Sequence, residues 1–148
     1  MSRDWRLTVA LRLMLAGALL VLAGACVFAS FNWRSPQPGT LAFEPGGTIA
    51  FGEVLASIGI AQGAFLLFRT PKSPVLAGEF ACVFSSLALF LAVASTDGYP
   101  PGSIGPAIGI FGMLGGTLGA AGGLLAILGK TPRAADARPT PQGPQSLN

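Results

Sequence analysis

Histidine is absent from the chain, which removes imidazole metal ligands, haem held by histidine and His-based acid–base catalysis. Charge is nearly as scarce. Only 10% of the 148 residues are charged, against about a quarter in an ordinary soluble domain. The net charge of +3 is spread along the chain, so no clustered basic face exists to bind nucleic acid. Cysteine occurs twice, as Cys26 and Cys82, both inside apolar runs. Two buried thiols make no metal-ligand set, and their different depths argue against a disulfide. No nucleophile stands paired with a base. The expectation is a non-enzymatic protein without cofactor or metal.

What is abundant is apolar surface, at 51% of residues. A chain this poor in polar side chains cannot cover itself in water, and a bilayer removes that requirement. About 20 apolar residues in a helix cross the roughly 30 Å hydrocarbon layer, and four segments reach that length: Leu13 to Phe31, Thr48 to Phe68, Pro74 to Ala94 and Ser103 to Leu128. Lipid offers no partners to bare backbone groups, so helices are expected. Residues 1–130 therefore read as an all-α transmembrane domain, a four-helix bundle of up-down topology. Ser73-Pro74 reads as an N-cap followed by proline at the first helical position. Thr48 and Ser103 are candidate caps of the second and fourth spans, the latter leaving Pro106 in the first turn. Trp5 and Trp33 bracket the first span as interfacial anchors.

The first span admits two readings. Arg3, Arg6 and Arg12 precede an apolar stretch, and Val27-Phe28-Ala29 before Ser30 resembles a signal-peptidase site. The apolar run is longer than a usual signal core, and we read an uncleaved anchor, with cleavage the alternative. Under four spans Arg3, Arg6, Arg12, Arg69, Lys72, Lys130, Arg133 and Arg138 lie on one side and Arg34 alone on the other. The positive-inside rule then puts both termini in the cytoplasm. Residues 131–148, which hold Pro, Gln, Ala and Ser with hardly an apolar residue, cannot bury enough surface to fold and read as a disordered cytoplasmic tail. The preference for Arg over Lys hints at a GC-rich bacterium, and the expected location is a multi-pass place in a bacterial inner, cell membrane.

The fourth span carries the clearest pattern. Gly105, Gly109, Gly112, Gly116, Gly119 and Gly123 recur at alternating steps of four and three, which aligns them on one helix face. Gly115 and Gly122 widen that stripe. Small residues let helix backbones approach in lipid. Gly52, Ala56, Gly59 and Gly63 in the second span repeat the spacing, making that helix the candidate partner of the fourth, with a second subunit as the alternative.

Two carboxylates fall within spans. Glu53 and Glu79 each lie five residues inside a boundary, about 7–8 Å along a helix. An acid at mid-span costs about 2.5–3.5 kcal/mol on insertion scales, less toward the ends. The two are near opposite faces of the membrane and do not form a dyad. Arg34 matches Glu53 in depth and Arg12 matches Glu79, so two ion pairs are expected, with Ser57 and Gln62 adding hydrogen bonds. The expected function is that of a structural or accessory subunit, whose partners are the lipid bilayer and other membrane subunits or itself. The alternative is a transporter or channel component moving a proton, ion or small solute through the intramembrane carboxylates.

Overall fold

A computed structural model describes residues 5–34, 45–71, 73–97 and 105–129, with side chains for 5–30, 48–71, 73–96 and 109–129. These residues form four helices: α1 Trp5–Arg34, α2 Pro45–Arg69, α3 Pro74–Asp97 and α4 Gly105–Leu128. No strand occurs among the described residues. All four helices are long and apolar enough to cross a membrane, which makes this a multi-pass helical membrane protein in form.

Helices α1, α2 and α3 extend past the apolar runs that predict them, while α4 ends at Leu128 as predicted. α1 has 30 residues, about 45 Å of helix, because the segment from Trp5 to Arg12 contains neither glycine nor proline and nothing in it breaks the backbone ladder. α2 starts at Pro45, not at Thr48, so Thr48 is an interior residue and not the cap. Proline is tolerated there because a first-turn N–H has no partner to lose. α3 begins at Pro74, directly after Ser73, as the sequence pattern predicts. Pro106 is the second residue of α4, in its first turn, while Ser103 lies outside the described residues. A tight turn joins α2 to α3. The Thr70 hydroxyl and amide both donate to the Leu66 carbonyl, at 2.7 and 2.8 Å, and the Ser73 amide donates to the Thr70 carbonyl at 3.0 Å. The proposed tail, 131–148, lies outside the described residues.

α4 packs along α3 and α1, and α2 packs along α3 and α1. α2 and α4 touch only slightly, and α1 and α3 less still, so these two pairs occupy the diagonals of a square. Positions pair in opposite order along neighbours. Gly63 meets Ala77 and Ala81 whereas Gly52 meets Leu91, and Gly123 meets Gly78 whereas Gly109 meets Thr96. The end of the bundle holding Thr70–Ser73 is called the turn end below, and the other the far end.

The core is built from small residues. Ala10, Ala18, Ala56, Ala64, Ala77, Ala81, Ala88, Ala92 and Ala126 are buried, and Met14, Val21 and Ile60 are the larger apolar side chains that water cannot reach at all. Large apolar residues point outward instead: Phe90 is 71% exposed, Leu19 67% and Phe51 65%. In water that arrangement leaves an untenable apolar surface, whereas in lipid it places the bulky side chains against acyl chains and reserves the small ones for helix contact.

Glycine makes the closest approaches. A Cβ on Gly17 would stand 2.6 Å from the Gly115 carbonyl oxygen, and one on Gly115 would stand 2.7 Å from the Gly17 carbonyl oxygen. The α1 and α4 backbones thus touch with no room for a methyl group. Gly78 and Gly123 make the same reciprocal contact between α3 and α4. The described part of the fourth span's stripe is therefore satisfied within the chain, chiefly by the third and first helices, with the second reaching it only at Gly112 and Gly119. Gly109, Gly112, Gly116 and Gly123 face α3, while Gly115 and Gly122 face α1. Gly52, Gly59 and Gly63 of α2 face α3 through Leu91, Phe84 and Ala81, and Ala56 is buried beside them. The matching periods of α2 and α4 report a shared third helix: both line their small residues toward α3 from opposite sides. Gly105, the first residue of α4, lies where contacts fall outside the described side chains.

Candidate functional site

Glu53 follows Gly52 by one residue, or about 100° around the helix. Since Gly52 rests on α3, that rotation turns Glu53 to the bundle axis. The carboxylate is fully buried, and neither oxygen has a hydrogen-bond partner among the described residues. Across the diagonal lies Gly112 of α4, where a Cβ would stand 3.3 Å from Glu53 Oε1, 2.8 Å from Ala92 Cβ and 3.6 Å from the Ala88 carbonyl oxygen. Gly112 is thus the position whose missing side chain admits the carboxylate.

Three hydroxyls share this core. Ser57, one turn on in α2, donates to the Ala18 carbonyl of α1 at 2.9 Å. Ser95 of α3 donates to the Ala92 carbonyl at 2.7 Å. Ser85, at mid-bundle on α3, packs over Gly119 beside Ile60, and its Oγ has no partner among the described residues. Sequence reasoning missed Ser85. The signal was present, for in the pair Ser85-Ser86 only Ser85 continues the three-and-four spacing of Gly78, Ala81, Ala88, Ala92 and Ser95. Ser86 instead turns outward and bonds back to the Cys82 carbonyl at 2.9 Å. Glu53, Ser57, Ser85 and Ser95 are the buried polar side chains of the described core, and they occupy it from its middle to the far end.

Glu79 stands in a different setting. It is exposed on α3 in a shallow groove of about 240 Å³ lined by Leu76, Phe80, Val83 and Phe84. Arg12 is exposed on α1. The ion pair expected between them does not form: no ion pair joins them among the described residues, because α1 and α3 sit on opposite corners. Matching depth is insufficient when the bundle intervenes. The second expected pair involves Arg34, whose side chain lies outside the described residues; among those described, Glu53 has no partner. Ser57 makes its expected hydrogen bond, whereas Gln62 is exposed on the outer surface of α2.

The two thiols are free, Cys26 on the outer surface and Cys82 half-buried against Gly123. Among the described residues no three of His, Cys, Asp and Glu come together to hold a metal ion. Comparisons with protein-family models, curated proteins and solved structures find no match to this chain.

Proposed function

We propose that this chain is a small structural or accessory subunit that assembles in the membrane with other subunits or with itself, without enzymatic activity. The observation that supports this reading is Glu79, a carboxylate exposed within an apolar groove on a surface otherwise suited to lipid. Hydrophobic attraction does not draw helices together in lipid, so a polar group on the outer face is where association energy resides. Exposed hydroxyls on the same surfaces are quiet by contrast. Ser30, Ser86 and Thr117 each bond a carbonyl four residues back in their own helix. The glycine stripe no longer argues for a partner, since its contacts are internal. The bundle is proposed to run up and down with both termini cytoplasmic in a bacterial inner membrane, on the strength of the arginine and lysine distribution. Purification of the full chain in mild detergent, followed by size-exclusion chromatography with light scattering, tests the assembly. A strictly monomeric chain with nothing co-purifying sinks it.

A second reading, a proton- or ion-moving component, draws on Glu53, buried with both oxygens unpartnered among the described residues. Buried intramembrane acids mark such paths in many membrane proteins. Flux measured in proteoliposomes separates the two readings: transport lost in Glu53→Gln favours the second, and no transport in the unaltered chain removes it.

A further inference from the structure

We propose that the partner at the Glu79 groove is Arg12 of a second copy of this chain, so that copies join head to tail through an intermolecular ion pair; this rests on the assembly reading above and names its contact. Both side chains are exposed, and neither has an ion-pair partner among the described residues. Their directions follow from helical phase. Arg12 lies midway between the buried Ala10 and Met14, about 200° from each, which points it away from the bundle. Glu79 is exposed on the face that Leu76, Phe80 and Val83 share.

Their depths coincide. A Cβ on Gly122 would lie 2.8 Å from the Ala10 carbonyl oxygen, and one on Gly123 would lie 2.8 Å from the Gly78 carbonyl oxygen. Ala10 and Gly78 therefore flank the same turn of α4. Arg12 is two residues beyond Ala10 and Glu79 one beyond Gly78, both toward the far end, and Gly122 is itself one residue nearer that end than Gly123, so they differ in depth by only about 3 Å. Copies inserted in the same orientation then present a cation and an anion at one level of the same bilayer. Each charge alone is costly to hold in or near hydrocarbon, and pairing offsets part of that cost.

The pairing is directional. Since α1 and α3 occupy opposite corners, the Arg12 of one copy and the Glu79 of its neighbour meet while the other two charges face outward. A two-fold dimer cannot satisfy both pairs; a heterologous contact repeats instead, closing a ring or running as a row. The groove between Leu76, Phe80 and Val83 receives the aliphatic stem of the arginine.

Charge exchange in the full chain tests this, read as oligomer distribution by light scattering in mild detergent and by crosslinking in native membranes. Arg12→Glu alone and Glu79→Arg alone each place like charges in contact and should weaken association at least about tenfold, a change of roughly 1.4 kcal/mol. The double variant should recover the oligomer. Mixing Arg12→Glu chains with Glu79→Arg chains should also recover it, since each contact is then again between opposite charges. Recovery on mixing cannot arise from a pair within one chain or from restored folding. If the unaltered chain is oligomeric but indifferent to both single changes, or if neither the double variant nor the mixture recovers, the Arg12–Glu79 contact is wrong while the assembly reading stands. A monomeric unaltered chain overturns both.

Discussion

The turn end and the far end of this bundle distribute polarity in opposite ways. Near the turn the core is entirely apolar, with Ala10, Met14, Ala64, Leu67, Ala77, Ala81 and Ala126 buried, and the ionisable side chains Arg12 and Glu79 stand outside. From the middle to the far end the polarity moves inward, to Glu53, Ser57, Ser85 and Ser95, while Phe51, Leu55, Phe90 and Val93 cover the outside. A charge on the outer face can recruit another chain, whereas a buried acid among small residues can only act inside its own bundle. The two intramembrane glutamates, alike in distance from their span ends, therefore have different chemical prospects.

Steric substitutions break the comparison most severely, because both ends depend on glycine. Gly115→Leu and Gly122→Leu should each lose at least the roughly 1–3 kcal/mol of an overpacked core, since their neighbours are the backbone carbonyls of Gly17 and Ala10. Gly116→Leu should be milder, because its nearest neighbour is the Leu89 side chain at 2.8 Å, which can change rotamer. Thermal unfolding in detergent ranks the three, and a Gly122 variant as stable as the parent would show that α1 does not pack here as described. This ranking departs from the stripe read as a one-sided surface, in which Gly122 is an edge position.

Removing the acid from the far-end core tests the other half of the contrast. Glu53→Met keeps the length and deletes two oxygens unpartnered among the described residues, and should raise stability by about 1–3 kcal/mol, the penalty of an unsatisfied buried polar group. Glu53→Gln, which leaves a buried amide in the same place, should gain less. A Met variant less stable than the parent would mean that the carboxylate has a partner in the membrane. The two serines sharpen the comparison on a smaller scale. Ser57→Ala loses the bond to Ala18 and should cost about 0.6 kcal/mol, the usual worth of an interhelical hydrogen bond in lipid. Ser85→Ala deletes a hydroxyl without a partner among the described residues and should be neutral or stabilising by up to about 1 kcal/mol, the low end of the penalty of an unsatisfied buried polar group. Equal losses at the two sites would place an internal water on Ser85 Oγ.

Orientation is open to labelling without touching the core. A cysteine introduced in the 32–47 segment should react with an impermeant reagent from outside intact cells, and one after Lys130 should not. The reverse pattern would invert the proposed topology.

Residue chemistry alone specified the number of spans, the start of α3 after Ser73 and the small-residue faces of α2 and α4. These follow from local rules: length of apolar run, the missing N–H of proline, and a spacing near 3.5 residues. It misjudged Thr48, because a helix in lipid continues until its backbone groups find water or a cap, and Pro45 provides an earlier start. Depth along each helix was also legible, since rise per residue is constant. The choice of neighbour was not. Periodicity says that a face is small but not which helix fills it, and equal depth says nothing about which corner a residue occupies. Only the packing of four helices into a square set α1 opposite α3, separated Arg12 from Glu79, and turned Glu53 toward Gly112 across the axis. The physical reason is that helix geometry is fixed by bonds within a few residues, whereas lateral order in lipid is decided by which pairs of surfaces bring their backbones closest.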